Sequence, residues 1–265
     1  MHDPPATSAP LSMPPVARVR VHHASLYAAA ASQLGTGSLA GCLLLIDSLA
    51  QEGDALLIAA SIAGAASLTL ETRTEAVRHC VRNGIVDFAV TTLDEALRIL
   101  KNEIRKQQPI AVLLERETAS VLAEMVERGA QPDMVRWAHA DAELKAFLDT
   151  LFARGAQPLP PPREMSPDPA RREVCWRAGE GGSAVLRQLD LLACEILSQE
   201  DAERQNWIAR APRYLPRALR LERSVAMTDR ECAAFLAAVE ERAQQGTLAA
   251  RVEIDAGGEV HSFNR

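Results

Sequence analysis

Residues Gly41 to Glu71, GCLLLIDSLAQEGDALLIAASIAGAASLTLE, limit what this chain can fold into more than any other stretch. An apolar run, Leu43–Ile46, enters a polar turn, Asp47–Gly53. An apolar, small-residue helix, Asp54–Ala66, follows, and a second apolar run, Leu68–Glu71, ends in an acid. Short apolar runs on either side of a helix make the strand–turn–helix–strand crossover of parallel α/β sheets. Such a unit binds nucleotides when its first turn holds several glycines, because backbone N–H groups at the helix start then come close to a pyrophosphate. Here the turn holds one glycine, Gly53, between Glu52 and Asp54. The scaffold is expected, and the phosphate chemistry is not.

The same alternation continues downstream. Thr74–Asn83 reads as a helix ended by Gly84, and Ile85–Val90 as a strand. Thr92-Leu93-Asp94-Glu95 is a capping box that opens a helix over Leu93–Lys106, with Leu93, Ala96, Leu97, Leu100 and Ile104 on one face. Pro109–Leu114 and Met134–Ala138 read as strands, and Thr118–Arg128 and Asp141–Arg154 as helices. Short strands alternating with longer helices predict an α/β fold: a doubly wound parallel sheet over residues 17–156. Before it, residues 1–16 are rich in Pro, Ser and Ala and are expected to lack fixed structure. Val19–Leu34 reads as a short strand and then an Ala-rich helix over Leu26–Leu34.

Gln157–Asp168 holds five prolines, so residues 157–172 are expected to be a linker. Residues 173–265 are expected to form a smaller, mainly helical region. Its helices fall at Gly182–Leu197, Glu203–Arg210 and Asp229–Gln244. A terminal hairpin is read from Arg251–Asp255, Gly257-Gly258 and Glu259–Phe263.

A net charge of −6 gives no general attraction to nucleic acid or anionic lipid, and no apolar run nears the roughly 20 residues of a membrane span. The N-terminus lacks a basic segment followed by an apolar one, so no secretory signal is read there. Five scattered cysteines, Cys42, Cys80, Cys175, Cys194 and Cys232, form no C-x-x-C pair. Neither a disulfide framework nor a zinc site is expected, and a reducing cytoplasm is.

From Ser25 onward the residues resemble the NAD-binding core of the urocanase (urocanate hydratase) family. Ser25-Leu26-Tyr27, Leu39-Ala40-Gly41, Leu43–Ile46, Ile62-Ala63-Gly64 and the strand ending in Glu71 carry the likeness. Val86-Asp87, Leu93-Asp94-Glu95-Ala96-Leu97, Glu124, Arg128-Gly129 and Pro132-Asp133 continue it in order, and a weaker similarity surrounds Trp207 in Arg204–Arg210. The resemblance covers roughly residues 25–140. It implies a Rossmann-like sheet, and a lyase of histidine catabolism that adds water to urocanate with tightly bound NAD as electrophile.

The departures fall on the positions that would touch ligand. The family's glycine-rich turn, G-L-G-G-M-G-G-A-Q, lies on Ser48–Leu56, where only Leu49, Gly53 and Ala55 fit. Side chains at Ala50 or Gln51 obstruct close approach of backbone to phosphate. A carboxylate such as Glu52 or Asp54 at about 5 Å from a phosphate charge costs on the order of 3 kcal/mol at an effective dielectric near 20. Arg116-Glu117 replaces an expected Gly-Asn pair, and Trp137-Ala138-His139-Ala140 replaces Asp-Gln-Thr-Ser. A scaffold kept after its site was lost gives this pattern.

The candidate cofactor contacts left in such a degenerate site are Ser48, Gly53 and Glu71. Each has a plainer reading: Gly53 for a tight turn with Asp54 as the helix N-cap, and Glu71 as a solvent-facing strand end paired with Arg73. His139, at a strand's C-terminal end, is read as structural sooner than catalytic. His79 and Cys80 lack partners at metal-ligand spacing, and His22-His23 is read as an exposed loop pair. No catalytic residue and no metal ligand is assigned. The arginines Arg204, Arg210, Arg213, Arg217, Arg220 and Arg223 suit either an acidic partner or, as favoured, a solvated face balanced by Glu200, Asp201 and Glu203.

Two functional readings follow. The preferred one is a urocanase-like pseudoenzyme without bound cofactor, acting by binding or regulation and pairing with itself as a dimer or with a full-length urocanase. The other is a divergent hydratase that still holds NAD.

Overall fold

The computed structural model describes residues 15–35, 37–50, 52–137, 142–161, 170–179, 182–248 and 250–264, the side chains of residues 143 and 218 excepted. The first sheet takes its strands in the order β3-β4-β2-β1-β5-β6, all parallel, from β1 (Leu43–Ile46), β2 (Ala66–Leu70), β3 (Phe88–Val90), β4 (Ile110–Leu114), β5 (Met134–Arg136) and β6 (Gln157–Pro158). Helices α1 (Val16–Ala29), α2 (Gly53–Ala63) and α3 (Thr74–Arg82) pack on one face. Helices α4 (Leu93–Arg105), α5 (Thr118–Glu127) and α6 (Ala142–Ala153) pack on the other. Alternate residues of each central strand divide between the two layers: Leu44 and Ile46 face the first, Leu43 and Leu45 the second. This is the doubly wound α/β sheet that the sequence predicts. Half of the capping box read for α4 forms: the Thr92 hydroxyl accepts from the Glu95 N–H at 3.3 Å.

The strand expected after Val19 is instead part of α1, which continues as a wide π-helical turn over Ala30–Leu34. Val16, Val19, His23, Leu26 and Ala30 fall at intervals of three and four and are buried against α2 and the helix α8 (Ala202–Tyr214). Burial of that face overrides the strand preference of the valines. Helix α2 is apolar on nearly every side because the sheet lies under it and α1 and α8 cover it.

The Pro-rich stretch after Gln157 begins as a strand. Gln157 and Leu159 donate N–H bonds to Asp133 and Val135 at 2.8 Å each, and Pro158 fits because its missing N–H faces away from β5 at the sheet's edge. The far end of the expected linker is also strand, since β7 (Arg171–Ala178) starts there.

The rest of the chain has more helix than strand, in α7 (Ser183–Ile196), α8 and α9 (Asp229–Gln244). These pack on an antiparallel sheet of order β10-β9-β7-β8. Its other strands are β8 (Glu222–Thr228), β9 (Val252–Ala256) and β10 (Val260–Phe263). The β9–β10 pair is the expected terminal hairpin. Gly257 and Gly258 both take positive φ, 71° and 98°, as a two-residue turn of the type favoured between twisted strands requires. Strands β7 and β8 do not emerge from the sequence, because each has only two or three inward apolar residues set among arginines: Val174 and Trp176 in one, Val225 and Met227 in the other. One apolar core runs without a break from the α1–α3 side of the first sheet to the inner face of the second.

Among the described residues, no helix is long and apolar enough to cross a membrane. All five cysteines are free thiols.

Candidate functional site

In a doubly wound sheet, ligands bind at the C-terminal edge where strand order reverses. Here the chain leaves β1 for β2 on one side and returns to β5 on the other, so the crevice lies above Ile46 and Arg136. The walls are His22, Ile46, Asp47, Ser48, Ala50, Gly53, Leu56 and Arg136, and the space they leave is about 10 Å³. That is room for one water.

The turn over this crevice is closed by its own bonds. Leu49 donates its N–H to Glu71 Oε2 at 3.2 Å, Ala50 to Ser48 Oγ at 3.3 Å, and Gly53 to the Ala50 carbonyl at 3.1 Å. Ala55 donates to Asp54 Oδ1 at 2.7 Å, and Leu56 to the Glu52 carbonyl at 3.0 Å. N–H groups at the start of α2 that would cradle an anion are therefore engaged within the protein. Gly53 is needed for steric reasons: a Cβ there would lie 2.1 Å from the Ser48 carbonyl oxygen.

The N-cap of α2 is Glu52, not Asp54, and Glu52 sits in the left-handed region at φ 70°. Its carboxylate is not left to repel a ligand. Arg18 Nε lies 2.8 Å from Oε1, and His22 Nε2 lies 3.1 Å from Oε2, both reaching across from α1. His22 and His23, expected on an exposed loop, are buried on this helix. Burial holds the His22 pKa below its ordinary 6.5, against the upward pull of Glu52; Arg136 and Arg18 add to the lowering. His23 packs between Tyr27 and Trp207, with Nδ1 2.8 Å from Glu203 Oε1 and Nε2 3.2 Å from Asn206 Oδ1. Asp54 is partly buried, which raises its pKa although the Ala55 N–H opposes this.

Glu71 stands at the strand end where a Rossmann acid meets a ribose, and its pairing with Arg73 is as expected. It is not solvent-facing: only 3% of its side chain is exposed. Arg73 donates Nε to Oε1 at 3.0 Å and Nη2 to Oε2 at 2.7 Å, while the N–H groups of Thr72, Arg73 and Leu49 fill the remaining lone pairs. Burial pushes its pKa up, and this ring of donors more than reverses that, leaving it below the usual carboxylate range. Ser48, Gly53 and Glu71 are thus brought together, as parts of one closed turn.

The other candidates have structural partners. Glu117, at the expected Gly-Asn position, caps α5 by accepting from the N–H groups of Ala119 and Ser120, and Arg116 pairs with Glu124 at 2.7 Å. Burial, with Asp54 and Glu71 nearby, pushes the Cys80 thiol up to about 12, which rules it out as a ready nucleophile. No cluster of metal-ligating side chains occurs among the described residues. His139 and Gln51 lie outside the described residues. Of the arginines, Arg204 and Arg223 are buried and not on a solvated face. Arg204 pairs with Asp201 and, through two nitrogens, with Glu231; Arg223 pairs with Asp190. His22 and Arg136 line the crevice and Arg18 braces Glu52 beside it, and sequence reasoning missed all three in these roles. Only the helical spacing of α1 signalled His22 and Arg18.

Residues 22–139 match the model of the urocanase Rossmann-like domain. The match begins in α1 at His22 and runs just past β5, so it contains the whole crossover around the closed turn. Over those residues the chain is similar to a urocanase Rossmann-like domain.

Proposed function

We propose that this protein is a non-catalytic relative of urocanate hydratase that acts by binding or regulation, in the cytoplasm and in connection with histidine catabolism. Its partner on this reading is a second copy of itself or a full-length urocanase. The observation that carries the proposal is the 10 Å³ left at the sheet's switch point, against the several hundred Å³ of an ordinary ligand pocket. The residues present do not fit a dinucleotide there as folded. Glu52 occupies the turn in a left-handed conformation, and Leu49, Ala50, Gly53 and Ala55 have committed their N–H groups. A pyrophosphate would have to break these bonds and displace the Arg18–Glu52–His22 cluster before gaining any of its own.

The test is calorimetric titration of the purified protein with NAD, alongside an assay for loss of urocanate absorbance. The expected result is no saturable heat with millimolar NAD and no turnover. Micromolar affinity for NAD, stoichiometric NAD released from the purified protein, or measurable consumption of urocanate would replace this reading with that of a divergent hydratase.

A further inference from the structure

We propose that the outward arginines of α8 and of the turn after it form a docking surface for an acidic segment of a partner protein. This goes beyond the reading above, since it depends neither on the state of the crevice nor on the partner being a urocanase.

From Arg204 to Leu221 the chain holds five arginines and no acid. Arg204 is turned inward, as described. Arg220 is spent on backbone: its Nε donates to the Leu215 carbonyl at 2.7 Å and its Nη2 to the Arg213 carbonyl at 3.2 Å, which closes the end of α8. The other three, Arg210, Arg213 and Arg217, form no ion pair and donate no side-chain hydrogen bond among the described residues. The acids that could balance them are engaged elsewhere. Asp201 pairs with Arg204 and Arg171, Glu203 with His23 and Arg20, and Glu222 with Arg177. Glu200 precedes α8, about 15 Å of helix away from Arg210.

The unpaired arginines are nonetheless held in place. The guanidinium carbons of Arg210 and Arg213 each stand 5.3 Å from the centre of the Tyr214 ring. Arg210 is half-buried and lies against the bare end of α2: its Nη1 and Nη2 are 3.4 and 3.6 Å from where a Cβ on Gly64 would be. Stacking on a ring face orders a guanidinium in advance, so less side-chain entropy is lost when a partner engages it. Two like charges sharing one ring with no counter-charge from the protein also repel each other, and a bound anion relieves that repulsion.

The surroundings favour carboxylates on a short protein segment. A phosphate site uses the N–H groups of a helix N-terminus, whereas this is the C-terminal end of α8, where the helix dipole disfavours a concentrated dianion. The chain as a whole carries a charge of −6, so a long nucleic acid is repelled beyond the patch. The field of the patch itself reaches only about 8 Å at physiological salt, enough for a short segment. Leu221 follows directly on Arg220 and is 60% exposed. Arginine and tyrosine beside an open apolar side chain make the composition of an interface hot spot. A segment with carboxylates and an apolar residue between them meets both features.

Fluorescence anisotropy with a fluorescein-labelled synthetic peptide of repeated Glu-Glu-Leu tests the proposal. Saturable binding is expected at low salt, weakening about tenfold or more in half-molar sodium chloride. Arg213→Glu combined with Arg217→Glu is expected to raise the dissociation constant about tenfold or more at an unchanged melting temperature, since both side chains are exposed. Arg217→Glu alone acts in the same direction, by about threefold, and covers the case in which the change in the last turn of α8 disturbs the helix. Arg98→Glu with Lys101→Glu, exposed on α4 across the first sheet, makes the same change in net charge and is expected to leave binding within about twofold. Absence of saturable binding overturns the proposal. So does equal weakening by the α4 pair, or tighter binding of an oligothymidylate of equal charge. None of these results bears on NAD binding or urocanate turnover.

Discussion

The carboxylate of Glu71 ties the end of β2 to the β1–α2 turn, and its strength as a tie comes from desolvation. Burying a carboxylate is costly unless its lone pairs are filled, and here Arg73 and three backbone N–H groups fill them. Glu71→Gln is therefore expected to destabilise the fold by about 2–3 kcal/mol, seen as a lower urea midpoint at unchanged slope. If Glu71 held a ribose instead, the same change would alter NAD affinity and leave the midpoint nearly unmoved. His22 supplies a pH-dependent counterpart. Its folded pKa lies below the ordinary 6.5, so the folded state favours the neutral ring and the unfolded state binds protons more readily. Its contribution is present above about pH 6.5 and is lost as pH falls from there through the folded value. Burial is the main cause of the shift; of the groups that face the ring, Glu52 from the turn opposes it, and Arg136 from β5 and Arg18 from its own helix add to it. His22→Asn is expected to flatten the stability profile just below pH 6.5 and leave it unchanged at lower pH, where carboxylates titrate.

At the scale of elements, the α2 N-terminus and the α8–α9 junction carry most of the specificity. Gly53→Ala drives a methyl group into the Ser48 carbonyl, so the turn must move; a loss of about 2–4 kcal/mol in chemical denaturation is expected. At the junction, Arg204 binds Asp201 at the start of α8, Glu231 in the first turn of α9 and the Ala226 carbonyl of β8. Glu231 also completes a capping box with Thr228. Burial raises the Glu231 pKa, but Arg204 and the Thr228 N–H and hydroxyl outweigh it and hold it at about 2. A depressed carboxylate stabilises the fold above its unfolded value near 4.5 and ceases to do so as pH falls toward 2. Glu231→Ala leaves the buried Arg204 without its main partner. A cost of about 3–5 kcal/mol at neutral pH, shrinking on acidification, is expected from melting curves taken at several pH values.

Across the whole molecule, α1, α2 and α8 form a shared layer between the two sheets. Leu56, Ile58 and Ile62 of α2 belong to the same apolar core as Trp176, Trp207 and Phe235 from the second half of the chain. The two halves are therefore expected to unfold in one calorimetric transition, with van't Hoff and measured enthalpies equal. A fragment ending at residue 161 would expose the α8-facing side of α2 and Val16–Leu26 of α1. It is expected to aggregate or to bind hydrophobic dyes; two resolved transitions in the full chain would contradict this.

What the sequence determined by itself is the part in which local chemistry and tertiary context agree. Strands β1, β2 and β4 are runs of apolar residues bounded by polar turns, and α4 and α5 have caps and an apolar stripe. Each can be read within a short window, and so can the scarcity of glycine in the β1–α2 turn, which holds Gly53 alone. The tertiary structure decided the rest, because it depends on partners far away in sequence. The valines of α1 became helix when α2 and α8 covered them, 157 and 158 became strand because β5 offered an edge, and the arginines at 204 and 223 went inward because Glu231 and Asp190 were there to meet them. The same holds for the crevice. Glu52 reads in sequence as a charge that repels phosphate, and in the fold it is paired with Arg18 and hydrogen-bonded to His22. What closes the site is side-chain volume and committed backbone donors, quantities that no local pattern of residues encodes.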